Sequence, residues 1–226
     1  MNELSPRQSL SNPNISISNS YDLFVFLKEQ NLLENSPTFW WPSYGTFETF
    51  LGAVLTQNTK WTNVEKSLAN LKKLYLTDVE KIANVDLELF TQAITPSGFK
   101  NQKSKRLKLM CKNILEDFQN FESFQKNSNR DWLLSQKGIG PETADAILCY
   151  VCKQEEMVVD SYTNRLLKRF GFEFENYDEL KSWLEFGINE NLDKIIEFYE
   201  HEISLNHVYC KFHGKIVEYM KKNPKV

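Results

Sequence analysis

The sequence predicts an all-α protein, and three observations carry that reading. Apolar residues recur at three- and four-residue spacing over 21–33, 46–57, 63–76, 103–118 and the long run from Asn191 to Met220. Glycine and proline, 8 and 7 in 226 residues, are scarce and sit where these segments stop: Pro37, Pro42, Gly45, Pro96 to Gly98, and Gly138 to Pro141. Period-two alternation is nearly missing, "EEMVVDS" (155–161) being the one short strand candidate. No internal repeat is evident.

The composition, 41% hydrophobic and 25% charged, is that of a soluble globular chain, long enough for one large domain or two small lobes sharing a cleft. No run of eighteen apolar residues is present, which excludes a spanning helix. The stretch 1–20 lacks an apolar core followed by small residues, so it is not a secretory signal; rich in Ser and Asn, it reads as a flexible leader. Cys111, Cys149, Cys152 and Cys210 do not make a disulfide framework and read as reduced thiols of a cytoplasmic protein. A net charge of −3 argues mildly against nucleic acid. However, "KNQKSKRLKLMCK" gathers Lys100, Lys103, Lys105, Arg106, Lys108 and Lys112 with no acid among them. Alone, that run reads as a solvated helix face.

The stretch "LLSQKGIGPETADAIL" (133–148) is more specific. Two helices meet at Gly138-Ile139-Gly140, with Pro141 suited to the first turn of the second. Gly138 and Gly140 allow positive φ and leave the turn bare, so their amides can face outward beside the positive end of the following helix. That concavity suits an anion such as a DNA phosphate, and Lys137 adds charge. Ile139 would tuck inward and hold the hairpin together. An ordinary helix–helix turn using two glycines explains the same residues. Asp160 follows, preceded by Val158 and Val159, which anchor the chain in a core. It reads either as a helix N-cap or as a carboxylate held at the edge of a cleft.

Together these features resemble the helix-hairpin-helix superfamily of DNA glycosylases, the endonuclease III branch. The matching residues are Leu134, Gly138, Ile139, Gly140, Thr143, Ala144 and Asp160, with the similarity extending over roughly 46–171. The resemblance implies a two-lobed fold with the active site in the cleft between lobes. One lobe would be a helical barrel over 44–156, and the other would comprise 21–43 and 157–226. It implies that Gln57 and Phe99 enter the DNA, that Lys103, Lys137 and the hairpin hold phosphates, and that Asp160 is catalytic. It also allows a cation at the hairpin.

Two departures narrow the expectation. The branch's imine-forming lysine, directly before Thr-Ala, is replaced by Glu142, and a carboxylate forms no imine. A monofunctional enzyme using water is therefore expected, without lyase activity. The branch's four C-terminal cysteines are reduced to Cys210, so no iron–sulfur cluster is expected. Cys149 and Cys152 read as core thiols. His207, His213 and Lys215 occupy the tail where the cluster would sit; a buried Lys215 would need a partner or neutralisation, for example as a carbamate. A zinc site of His207, Cys210 and His213 is a minor alternative, because i, i+3, i+6 positions diverge around a helix.

Wording such as "FWWPSYGTFE", "LGAVLTQNTK" and "FHGKIVE" is similar to the cluster-free 3-methyladenine branch of this superfamily. The expected substrate is therefore alkylated purine in double-stranded DNA, excised by a monomeric, cofactor-free base-excision enzyme of the bacterial cytosol and nucleoid. The chemistry agrees: N3-methylated adenine is cationic and stacks well on aromatic faces. Trp40, Trp41, Pro42 and Trp61 are the candidate base pocket, though tryptophans at helix starts are often core residues. Rival readings are a mismatch or oxidised-base glycosylase, which would need hydrogen-bonding groups for a neutral base, and a non-catalytic damaged-DNA-binding module, which would not need Asp160.

Overall fold

The computed structural model describes residues 16–199 and 201–224, and they are helical with no strand among them. In chain order come α1 (Ser20–Lys28), α2 (Phe47–Leu55), α3 (Trp61–Lys73), α4 (Val79–Asn84) and α5 (Leu87–Ala93). A 3-10 turn (Thr95–Ser97) leads into α6 (Lys100–Phe118), α7 (Phe121–Asn127), α8 (Arg130–Ser135) and α9 (Pro141–Tyr150). The remaining helices are α10 (Ser161–Arg169), α11 (Tyr177–Asn189), α12 (Leu192–Ile196) and α13 (Leu205–Lys222). Most starts are set by a side chain that accepts a first-turn amide: Asn19, Thr46, Asp78, Asp86, Asn120, Asn129, Asp160, Asn176 and Ser204 all do so.

The described chain forms two compact units: α1 with everything from Val159 onward, and Ser36–Val158, which holds α2 to α9. Residues 36–43, which the sequence reading grouped with α1, lie in the second of these. The reason is aromatic packing: Trp41 is buried against Trp61 and Tyr150 of the same unit. Of the expected leader, residues 1–15 lie outside the described residues, while Asn19 already caps α1 through the Asp22 amide.

In the unit 36–158, α6 buries Leu107, Met110 and Ile114 along one face, and Phe47, Phe50, Phe121 and Phe124 pack with ring centroids 5.1–5.9 Å apart. In the other unit α13 is the central helix, burying Val208, Phe212, Ile216 and Met220, with Phe24 edge-on to Phe212 at 5.5 Å. The strand candidate 155–161 forms no strand; Met157, Val158 and Val159 are buried, and Ser161 already begins α10. No helix among the described residues is long and apolar enough to cross a membrane.

Candidate functional site

The hairpin joins α8 to α9 in a short turn. Gly138 has φ +87°, a region that only glycine occupies freely, and the Ile139 amide donates to the Gln136 carbonyl at 3.1 Å. Ile139 is buried as expected, whereas Lys137, Gly138 and Gly140 are exposed. The Gly138 and Gly140 amides donate to no described group, so two backbone donors stand at the N-terminus of α9. Below them Arg130 Nε meets the fully buried Asp145 at 2.9 Å, fastening α8 to α9.

Three further side chains hold the turn. Asn113 donates to Gln136 Oε1 at 2.7 Å. Gln57 donates to the Gly138 carbonyl at 3.1 Å and to Thr143 Oγ1 at 2.9 Å, so this residue is tied to the hairpin. Arg106 lies across Gly138, where a Cβ would stand 2.6 Å from its Cδ, Nε and Cζ. The bare glycine thus leaves room for the Arg106 side chain beside the turn.

The rest of the basic run does not act as one patch. Lys103 is 3% exposed and its ammonium donates to the carbonyls of Leu55 and Ser97, both at 2.8 Å. Lys103 is therefore corrected from a phosphate contact to an internal tie, because its ammonium points into the protein. Burial holds it at about 8. Lys108 donates to the Val85 carbonyl, while Lys100, Lys105 and Lys112 remain at the surface. Phe99, 63% exposed, takes the left-handed conformation at φ 45° just before α6. Such backbone strain on a bulky residue persists only where the surroundings impose it.

The loop 36–45 presents the tryptophans. Trp40 and Ser43 have positive φ, at 65° and 57°, and the Trp41 amide donates to the Phe39 carbonyl at 2.8 Å. Trp41 is buried, 7% exposed, with Trp61 edge-on at 5.6 Å and Tyr150 at 4.9 Å. Trp40 and Trp61 are half-buried and Pro42 is exposed. Gly52 makes room for this stack: a Cβ there would meet Trp61 at 3.3 Å and Trp41 Nε1 at 3.6 Å. Tyr150, fully buried beneath both loop tryptophans, went unnoticed in the sequence because nothing local distinguishes it from an ordinary helix core residue.

Gln125 ties this loop down, its amide donating to the Gly45 and Val151 carbonyls, each at 2.9 Å. Gln125→Leu strands two carbonyls and is expected to cost about 2–3 kcal/mol. A thermal melt would read the loss, and the near-ultraviolet dichroism of the tryptophans would change with it. An unchanged spectrum would separate Gln125 from the loop.

Asp160 caps α10. Its Oδ1 accepts from the Thr163 amide at 2.8 Å and the Thr163 hydroxyl at 3.0 Å. Its Oδ2 lies 3.5 Å from Nε2 of His213 on α13, with the two side chains 14% and 5% exposed. Burial pushes the Asp160 carboxyl up, but the His213 contact and the Thr163 donors outweigh it and leave it below the ordinary carboxylate value. Sequence reasoning left His213 among tail residues of open role, since 53 positions of chain give no sign that it meets Asp160.

The zinc alternative at His207, Cys210 and His213 is corrected: no three metal-binding side chains gather among the described residues. Cys210 instead lies 3.9 Å from Asn206 Oδ1. Lys215 is 8% exposed and sits at about 8, lowered by burial first and then by Lys211 and Lys28. Cys111 and Cys152 are raised by burial, to a value above the ordinary thiol range and to about 11, and are inert at neutral pH.

A glycine hairpin opening one helix and a buried aspartate capping another, in an all-helical frame, define a class. The chain belongs to the HhH-GPD superfamily of base excision DNA repair proteins, whose family model matches residues 51–187. It is 48% identical to the 3-methyladenine DNA glycosylase of Helicobacter pylori, whose crystal structure holds 1,N6-ethenoadenine; the match covers 92% of this chain and 100% of that one with a TM-score of 0.90. A candidate DNA repair glycosylase of Methanocaldococcus jannaschii is 42% identical over 190 residues, 81% of this chain and 80% of its own. An endonuclease III trapped covalently on DNA shares the fold at 18% identity and a TM-score of 0.68, covering 93% of this chain and 90% of that one.

Proposed function

We propose that this protein is a monofunctional DNA glycosylase that removes N3-methyladenine from double-stranded DNA as the first step of base excision repair. The observation that carries the reading is its likeness, along the whole length of the partner, to the Helicobacter pylori 3-methyladenine enzyme. The site chemistry supports it. A cationic, flat base gains from stacking on tryptophan, and the Trp40–Trp61 cluster offers faces with few polar groups. The Gly138 and Gly140 amides, Arg106 and Lys137 suit phosphates, and Phe99 is free to fill the gap left by a flipped nucleotide. Gln57 would join it by exchanging its hairpin hydrogen bonds for the DNA.

In the proposed step the C1′–N9 bond breaks and its electron pair neutralises the alkylated base, which leaves as a neutral molecule. The oxocarbenium-like sugar is stabilised by the Asp160 carboxylate. Water forms the new C1′–O bond, and its proton passes to Asp160 and on to solvent. No acid is needed for a leaving group already cationic, and Glu142 provides no amine for an imine. The enzyme would act as a monomer without a cofactor, in the compartment that holds the DNA. A cation at the hairpin would compete with the Gln57 amide for the Gly138 carbonyl, so phosphate capture is the simpler use of that loop.

The test is base release from methylated duplex DNA. Free 3-methyladenine with intact abasic strands, and no covalent adduct on borohydride treatment, is expected. Strand cleavage with a trapped adduct would make the enzyme a lyase, and release of only mismatched or oxidised bases would move the pocket to a different substrate.

A further inference from the structure

We infer that His213 is a positioning residue for the reaction, holding the second oxygen of Asp160 while Thr163 holds the first. The inference rests on the reading of Asp160 as the catalytic carboxylate. The two oxygens are treated differently by the fold. Oδ1 is fully engaged within α10, taking both the Thr163 amide at 2.8 Å and its hydroxyl at 3.0 Å, a local cap that any helix of this kind could make. Oδ2 plays no part in the cap. What it meets is a side chain from another helix, Nε2 of His213, at 3.5 Å.

A capping aspartate needs only one oxygen, and its carboxylate plane is then free to tilt about the capped one. The His213 contact, longer than a formed hydrogen bond, limits that tilt. The imidazole is itself immobilised: its side chain is 5% exposed, and it lies on α13 between Phe212 and Gly214 among buried neighbours. The long separation makes this a weak hold compared with a short charge-assisted bond, and leaves Oδ2 with capacity to accept from a water molecule. An oxygen that is oriented but not saturated is what an aspartate needs in order to face a developing positive charge and direct water toward it. Thr163 alone would keep the aspartate in place; His213 would keep it aimed.

The test compares His213→Gln, His213→Asn and His213→Leu with Asp160→Asn in single-turnover release of 3-methyladenine from methylated duplex DNA. Binding to duplex DNA bearing a tetrahydrofuran abasic analogue and melting temperature are measured alongside. Glutamine places an amide nitrogen near the position of Nε2, whereas asparagine is too short and leucine has no donor. Glutamine is expected to keep the rate within about threefold of wild type, and asparagine and leucine to lose roughly 10–100-fold, with binding within about twofold. The glutamine rescue and the rate loss at constant affinity are effects that a packing role would not produce, and the asparagine variant serves if leucine lowers the melting temperature below the assay. Wild-type rates in asparagine and leucine, beside an inactive Asp160→Asn, would overturn this inference alone, as would a glutamine variant as slow as leucine. A wild-type protein that frees no alkylated base, or a fully active Asp160→Asn, would overturn the parent reading and this inference with it.

Discussion

Asp160→Asn is expected to reduce 3-methyladenine release by on the order of 10³-fold or more while leaving affinity for abasic-site DNA within a few-fold of wild type. The substitution removes the charge and sets an amide nitrogen in place of Oδ2 beside His213. Asparagine can still accept the Thr163 amide and so still cap α10, and its carbonyl oxygen can occupy the place of Oδ1. Melting temperature should therefore change little, which separates loss of chemistry from loss of fold. What is lost, in the proposed step, is a full negative charge that would face the forming oxocarbenium ion, with burial of the side chain weakening solvent screening. The pH dependence follows with a definite sign. The Asp160 carboxyl sits below its ordinary value in the folded protein, so the ionised state is fully present above the unfolded value and is lost only as pH falls through the lower, folded one. The acid limb of the rate profile, measured under single-turnover conditions, should lie below the usual carboxylate range. A limb well above that range would mean that burial dominates, and Asp160 would then be a poor candidate for an ion poised at neutral pH.

The parts of this site that were legible in the sequence are those written locally. Gly138, Ile139, Gly140 and Pro141 are consecutive, and their roles in a turn follow from conformational freedom and a missing N–H. The cap at Asp160 needs only Thr163 three residues on. The helices were legible from periodicity, and 155–161 misled only as to type: a short buried apolar run, Met157 to Val159, reads as a strand in sequence whether or not it forms one. What the sequence could not supply was the meeting of distant positions. Gln125 reaching Gly45 and Val151, Tyr150 beneath Trp40 and Trp41, and His213 against Asp160 all depend on how helices pack. Lys103 is a different case, because a signal was there. Leu107, Met110 and Ile114 lie four, seven and eleven residues beyond it, so Lys103 occupies the apolar stripe of α6, while Lys100, Lys105 and Lys112 do not. Counting the run as one basic patch ignored which face each cation takes.

That placement makes Lys103 the site of the largest expected stability loss. Its ammonium closes two open carbonyls, Leu55 at the end of α2 and Ser97 in the turn before α6, at 2.8 Å each. Such terminal carbonyls have no partner within their own helix, and inside a protein they must find one elsewhere. Burial lowers the lysine to about 8, yet two good acceptors keep the tie useful, since even the neutral amine can donate to both. Lys103→Met keeps most of the packed stem and strands both carbonyls, for an expected loss of about 2–4 kcal/mol. At roughly 2–4 °C per kcal/mol for a chain of this size, the melting temperature should fall by about 4–16 °C. The sign with pH follows from the depressed value. The folded protein releases this proton before the unfolded chain does, so the energetic burden of the buried charge lifts as pH rises from about 8 toward the unfolded lysine value near ~10.4. Over that interval wild type should gain relative to Lys103→Met, a gain that an exposed, unshifted lysine would not show. A surface contact would leave the melting temperature alone and shallow the salt dependence of DNA binding by about one unit of slope. If Lys103→Met melts like wild type and loses one unit of salt dependence, the ammonium faces DNA after all, and the α2 and Ser97 carbonyls must be satisfied by water.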